Sequence, residues 1–524
     1  MQRRSVLMLG ASMAVLPRWS AAAGTRKLSM ALTAAPASLD PHYHDSFTST
    51  QALLQIYSQL RVQDATSALR PGLATACTAL DDTTWELTLR QGVLFHDGTP
   101  FEAEDIPFSF DRVRKLTPTL SSFQANIRDI EAVDIVNPAT VRIRLKSPDP
   151  LFEYKLGQVC MLSRRLHAEA ATRDFTSGRL AIGTGAYKVK RYSVGERLEL
   201  ERNDTFWGGT PDWQSVSIRY VSDSGARIAA LRSGDVDLID GVAVQEVAGL
   251  KQEPSFSVFT SPAFMTAYLT PDTARAQSPF VTGNDGQKLP RNPLADAHVR
   301  QALSLSLNRA AMVERLMLGQ ALLPDQFVGP AAADRAEGMP KLGYDVTEAK
   351  RLLEQAGYPE GFRLTIHGPA GYFNNDVAVL QAVAQAFTRI GIRTQVETMP
   401  NAMFATRAAN KDFSLYMNAF NGAFALIALR YLAMAPNRET GNGSSNRLNY
   451  NNPRLEAAMQ QALRTMDAGK RRALTDEASR LLMEDMGHIP LFYGVNSWAG
   501  RKAQVRYEAN PMGRTSAFMA KPVG

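Results

Sequence analysis

Cysteine is nearly absent from this chain. Cys77 and Cys160 are the only two in 524 residues, which excludes a disulfide-dense scaffold. In an oxidising compartment the two can pair, or they can stand apart as small buried hydrophobes. Histidine is scarce too, with seven in all. Only His42 and His44 stand close together, in a loop segment with no third His or Cys nearby in sequence. The signatures of common catalysts are missing: no HExxH, no GxSxG, no Walker loop and no complete GxGxxG. Gly441-Asn442-Gly443 fails the dinucleotide pattern at its third glycine. There is no Lys/Arg block of the kind that tracks a phosphate backbone, so no nucleic-acid partner is expected. Low-complexity tracts and solenoid-period repeats are likewise absent.

Length and the N-terminus bound what remains. A chain of 524 residues is too long for one hydrophobic core, so two or more lobes are expected. Residues 1–23 read as an export signal. Arg3 and Arg4 form the basic start, Val6 to Leu16 is an apolar run, and Ala21-Ala22-Ala23 offers a cleavage site. The run is too short to span a bilayer. Arg3-Arg4-Ser5-Val6-Leu7 resembles a twin-arginine signal, with an ordinary Sec signal as the alternative. No Cys follows the cleavage site, so a lipid anchor is not expected. Arg3, Arg4 and Arg18 leave with the signal and lower the formal charge from +7 to +4, too little to imply a polyanion partner.

Periodicity gives the elements. Trp85, Leu87 and Leu89 alternate as a half-buried strand, and Val93 and Phe95 continue the pattern past a turn. Thr99-Pro100-Phe101-Glu102 has the residues of a capped helix start. Tyr187–Val189 and Leu198–Leu200 flank Ser193-Val194-Gly195 as a hairpin. A helical stripe through Ile228 and Leu231 stops at Gly234, before a buried strand at Val236 to Ile239. Asp235, Asp237 and Asp240 cluster there; the first two belong to the scaffold, and Asp240 has no partner evident in the sequence. Asp345-x-x-Glu348 caps a helix that ends at Gly357. Phe362, Leu364 and Ile366 alternate, a helix runs from Leu380 to Ile390, and Ile392, Thr394 and Val396 alternate again. That is a β-α-β unit of an α/β lobe.

Six short motifs, in order, carry a resemblance over nearly the whole mature chain. They are Trp85 to Pro100 (WELTLRQGVLFHDGTP), Glu104-Asp105 with Phe108-Ser109-Phe110, Gly183-Thr184-Gly185-Ala186-Tyr187, Arg202 to Gly209 (RNDTFWGG), Ala230 to Asp237 (ALRSGDVD), and Asp296 with Val299-Arg300-Gln301-Ala302-Leu303. Together they resemble the family-five extracellular solute-binding proteins, the periplasmic components of peptide and nickel ABC importers. The resemblance implies an α/β, two-lobed periplasmic binding protein fold (type II, Venus-flytrap) with an extra subdomain on lobe I. It places lobe I at 24–55, 183–262 and 490–524, the extra subdomain at 56–182 and lobe II at 263–489. The chain would cross between lobes near Ser261 to Leu269 and return near His488 to Tyr493.

The resemblance further implies a soluble periplasmic monomer. It would capture a peptide, peptide-like or other small solute by lobe closure and deliver it to an inner-membrane ABC permease. It would need no cofactor, no metal and no catalytic residue. The alternatives are a nickel or metal-chelate binder of the same fold and an exported peptidase or hydrolase. Peptide-binding members hold the ligand's ammonium with a lobe-II Asp in "G-W-x-x-D-x-x-D-P". The matching stretch here is Met417 to Ala425, with Phe420 for the Trp and no Asp. Dipeptide binders also use an Arg before a lobe-II helix, and the loop Gly368 to Asn375 has none. The expected ligand surface is therefore aromatic and amide-rich: Tyr372, Asn374, Asn418, Phe420, Asn421 and Phe424 on lobe II, Phe264 and Met265 on the crossing strand, and Tyr43 and His44 on lobe I.

Overall fold

A computed structural model describes residues 26–64, 66, 68–117 and 122–523; the export-signal reading of residues 1–23 lies outside them. The fold is organised by one 12-stranded sheet. Two long neighbouring strands, Phe256–Pro271 and Ile489–Arg501, run antiparallel through its middle. On one side Ile489–Arg501 pairs with Leu238–Asp240, which leads through the parallel strands Lys27–Leu32 and Ser215–Tyr220 to the hairpin Tyr187–Ser193/Arg197–Arg202. On the other side Phe256–Pro271 pairs with Leu415–Asn421. That strand is parallel to Arg363–Ala370, which is parallel in turn to Arg393–Pro400. The crossing pair lies where the resemblance puts the connection between lobes. Its register shifts between Pro262 and Thr266.

Separate cores underlie the parts. Leu28, Met30, Leu198, Val216 and Trp498 pack in one half of the sheet. Leu269, Leu303, Phe362, Ile366, Phe387 and Phe492 pack in the other. A four-stranded sheet, Ala74–Ala79, Thr84–Leu89, Thr140–Leu145 and Ile130–Asn137, forms a third unit around Trp85, Leu87, Phe110 and Ile143. Burying one large aliphatic or aromatic side chain contributes about 1.5–3 kcal/mol, so each cluster can sustain its own unit.

Most sequence-derived elements form. Helix Ser224–Ser233 ends at Gly234 with φ 84°, the left-handed conformation glycine adopts without a Cβ penalty. Asp345 caps Val346–Gln355 by accepting from the Glu348 amide at 2.9 Å. The β-α-β unit is Arg363–Ala370, helix Asp376–Arg389 and Arg393–Pro400, its strands parallel.

One expectation is corrected. No helix starts at Thr99; the helix is Asp105–Lys115. The Thr99 amide and hydroxyl both donate to Asp97 (3.1 and 2.7 Å), which makes a turn, and the Glu102 amide donates to Asp105. Val93 and Phe95 are buried as expected but form only an isolated bridge, between Leu94 and Pro100.

The motifs that carry the resemblance touch one another. The His96 amide donates to the Gly183 carbonyl at 2.8 Å, and Asn203 Nδ2 donates to the Gly185 carbonyl at 2.9 Å. Trp207 Nε1 donates to Ser58, whose hydroxyl donates to the Thr184 carbonyl. A Cβ on Gly183 or Gly185 would sit 2.1 and 2.6 Å from the Ile56 carbonyl oxygen. These glycines let the chain press against the end of helix Phe47–Ile56, which carries part of the site described next.

Cys77 and Cys160 are free. Burial pushes both thiols up to about 12, so neither is a reactive thiolate at neutral pH. Among the described residues no helix is long and apolar enough to cross a membrane.

Candidate functional site

Parallel strands put their connecting loops at their carboxyl ends, where α/β folds place ligands. Here the loops after Lys27–Leu32 and Leu238–Asp240 face those after Arg363–Ala370 and Leu415–Asn421. Three contacts span the gap. The ring of Tyr154 meets Phe424 edge-on, with centroids 5.3 Å apart and planes at 82°. Gln245 Nε2 donates to Asn375 Oδ1 at 2.9 Å, and Arg128 donates to the Glu439 carbonyl at 2.6 Å.

The first wall is the loop 33–46, pinned from below. Asp40 is fully buried and takes two hydrogen bonds from Arg112, at 2.8 and 2.7 Å, and a third from the Thr172 hydroxyl at 2.8 Å. Burial opposes its charge, but Arg112 more than offsets this and holds the carboxyl below its usual range. Asp240, whose partner the sequence leaves open, accepts from the Thr33 amide and hydroxyl, both at 2.8 Å. Asp237 likewise accepts from Ser29. These acids staple the scaffold.

His42 and His44 separate. His42 turns inward, its Nε2 at 2.8 Å from the Cys160 carbonyl, and burial pushes it down to about 4. His44 and the exposed Tyr43 remain on the loop surface beside each other, their rings 6.5 Å apart. Asp45 follows, half-buried, and burial raises its carboxyl against the opposing charges of Arg514 and His44. Among the described residues no group of three or more His, Cys, Asp or Glu is placed to hold a metal ion.

The opposite wall gathers most of the remaining expected residues. Phe264 lies in the register shift of the crossing strand. Its amide donates to the Pro511 carbonyl at 3.2 Å, and its carbonyl accepts from Gly422 at 3.3 Å. Met265 stands opposite Asn421 and Thr266 opposite Phe420. Phe420 is half-buried and packs toward the Leu426, Leu429 and Tyr450 core, so part of its ring supports the lobe rather than the gap. Asn418 is mid-strand, opposite Tyr268, with its Oδ1 engaged by the Ala419 amide. Tyr372 and Asn374 stay exposed on the next loop, whose shape is set by Asp376 accepting from the Tyr372 amide at 2.7 Å.

Three charged residues escaped the sequence reading. Asp334 accepts from the Ala425 and Leu426 amides (2.5 and 3.1 Å), so the helix after Phe424 takes its acidic cap from a distant loop. Arg514 lies in the C-terminal loop and lines a cavity of about 440 Å³ with Gln51, Leu54, Trp207, Met512 and Phe518. Asp45 follows two histidines and no sequence pattern singles it out. No local pattern marks Arg514, and none of the expected ligand residues lines that cavity with it.

The sequence profile of the bacterial extracellular solute-binding proteins, family 5 (middle region), matches residues 68–427. The chain belongs to this family. It is 27% identical over 463 residues to the glutathione-binding protein GsiB of Salmonella typhimurium, covering 86% of each chain. Its fold is similar to the periplasmic binding protein DppA of Helicobacter pylori solved with the peptide STSA (TM-score 0.77, 24% identity, 95% of this chain and 99% of that one). It is also similar to NikZ of Campylobacter jejuni solved with Ni(L-His) (TM-score 0.78, 21% identity, 95% and 99%). The family-five protein is thus the two-lobed α/β solute-binding fold that the six motifs implied, with the extra subdomain around Trp85 and Ile143.

Proposed function

We propose that this family-five protein is the periplasmic substrate-binding component of an ABC importer. It takes up a peptide or peptide-like solute between its lobes and presents the closed form to an inner-membrane permease. The observation that carries the reading is the crossing pair Phe256–Pro271 and Ile489–Arg501. It joins two α/β halves whose loop ends already touch at Gln245 and Asn375, while Tyr154 of the helix Phe152–Leu156 touches Phe424. A ligand that contacts both halves shifts the population toward closure.

The lobe limits we propose are 24–55, 183–262 and 490–524 for lobe I, 56–182 for the extra subdomain and 263–489 for lobe II. The ligand surface is formed by Tyr43 and His44, Phe264 and Met265, Tyr372 and Asn374, Asn418, and Phe420, Asn421 and Phe424. The protein acts as a monomer, without turnover or cofactor, once residues 1–23 are removed, and it carries no lipid anchor. The relatives that bind glutathione or peptide support a peptide-like ligand. The inward turn of His42 removes one of the two histidines that a nickel reading would use.

Small-angle scattering and calorimetry on the mature chain with a di- and tripeptide panel, including glutathione and Met-Leu, test this. The expected result is saturable binding with a smaller radius of gyration and no product. Binding without compaction, or release of cleaved product, overturns it.

A further inference from the structure

The cavity that Arg514 lines shares no wall residue with the proposed ligand surface. It is enclosed by helix Phe47–Ile56 and residues 57–64 after it, by the turn 206–208, and by the C-terminal segment 508–521. Its volume of about 440 Å³ falls within the ~300–1,000 Å³ of small-molecule sites. Part of the wall is a continuous aromatic surface. The rings of Phe206 and Trp207 lie with centroids 5.1 Å apart, and Phe518 meets Phe206 edge-on at 5.8 Å.

Two polar side chains on these walls lack partners. Arg514 is half-buried. Among the described residues no hydrogen bond or ion pair reaches its guanidinium, and its Nε is buried without a partner. Gln59 is only 4% exposed, and among the described residues no hydrogen bond reaches its side-chain amide. The fold treats its other enclosed arginines differently. Arg112 is paired with Asp40, Arg300 with Asp485, and Arg227 donates to four backbone carbonyls. An enclosed polar group left unbonded is unfavourable until a ligand supplies its partner.

The other charged groups on the walls are engaged or open to water. Asp64 accepts from Thr66, Ala68 and Arg70. Lys521 pairs with Asp212 at 3.1 Å, and Glu508 is exposed. Arg514 is also held in place. Its carbonyl accepts from Asn510 Nδ2 and the Tyr507 hydroxyl, both at 2.8 Å, and the next residue, Thr515, donates its amide to Gln51 Oε1 at 2.9 Å.

We propose that this cavity is a second binding site, for a small organic acid with an aromatic body. Arg514 takes the carboxylate, for which its planar fork is suited. The Phe206, Trp207 and Phe518 surface packs the ring, and the Gln59 amide supplies one further hydrogen bond. An α-ammonium would find no enclosed carboxylate available, so amino acids and peptides fall outside the class. The assignment is independent of what the lobes capture.

Calorimetry on the full mature chain at neutral pH uses three probes: cinnamate, cinnamamide and phenylalanine. Cinnamate should bind saturably with Kd below about 1 mM, and the other two at least 10-fold more weakly. Arg514→Gln should weaken cinnamate at least 10-fold and Phe518→Ala at least threefold. Phe518 is 40% exposed, so its replacement spares the fold. Should Arg514→Gln fail to fold, Phe518→Ala and the cinnamamide comparison decide. Absence of saturable cinnamate binding overturns the proposal. So does equal affinity for cinnamamide, which would mean that no cation reads the carboxylate. Undiminished binding by the folded variants also overturns it, because the acid would then sit elsewhere. Failure of the peptide panel leaves this site untouched.

Discussion

His96 and Gly183 hold each other by two opposed hydrogen bonds: the His96 amide donates to the Gly183 carbonyl at 2.8 Å, and the Gly183 amide donates to His96 Nδ1 at 3.3 Å. His96 Nε2 then donates to the Gly185 carbonyl at 3.1 Å. One tautomer satisfies all three, and it is neutral. A proton on Nδ1 would set a donor against the Gly183 amide.

Burial, with Lys188 nearby, accordingly pushes His96 down to about 4, and burial does the same to His42 and His488. These bases must be neutral in the fold, while the unfolded chain protonates them near 6.5. Stability should therefore be complete above pH 6.5 and fall as the pH drops toward 4, by up to about 3 kcal/mol per histidine. Melting temperature against pH checks this. A His42→Gln variant should show a shallower decline than the parent, and an unchanged slope would remove His42 from the account.

Asp40 governs a lower window. Its folded value is depressed, so its contribution is present above the ordinary carboxyl value of 3.8 and is lost as the pH falls through the folded value. Asp40→Ala leaves Arg112 buried without its partner and should cost about 3–5 kcal/mol. Urea unfolding at neutral pH measures it; a loss under 1 kcal/mol would show that Arg112 finds another acceptor.

Gly185→Ala drives a Cβ into the carbonyl carbon and oxygen of Ile56, 2.5 and 2.6 Å away, and both are backbone atoms that cannot swing aside. A loss of about 3 kcal/mol or more is expected. Gly249, with open space around its Cβ position, is the control, and Gly249→Ala in its helix should be neutral or stabilising.

Phe424→Ala removes the ring that meets Tyr154 across the gap. Its effect should appear as reduced compaction on ligand binding in scattering and at least a fivefold weaker affinity, with ligand-free stability little changed. Phe420→Ala should behave differently. Because Phe420 packs on the Leu426 core, it should lower the melting temperature as well as the affinity.

The fold was legible where local rules and tertiary demands agree. Gly234 and Asp345 end and begin helices for reasons contained within a few residues, and the alternation of Phe362, Leu364 and Ile366 needs only a sheet to bury it. Thr99 to Glu102 misled because two local solutions compete there. The Asp97 carboxylate captures Thr99 as a turn before the helix can use it as a cap. Of the candidate site, Tyr43, Phe264 and Phe424 could be nominated from sequence because they flank recognisable elements. Arg514 could not, since its position depends on Gln51 and Tyr507, which no sequence period connects to it.

Strand Ile489–Arg501 lies between Phe256–Pro271 and Leu238–Asp240 in the sheet, yet it is synthesised long after both. Until it emerges, Leu238–Asp240 has an open edge and Phe256–Pro271 is paired on one side only. The growing polypeptide therefore carries two unfinished sheet fragments without their shared middle. Domains generally fold as units during synthesis, but here neither half can be completed early. A sheet that stays incomplete until its middle strand arrives is held in a form suited to interception by chaperones before it settles.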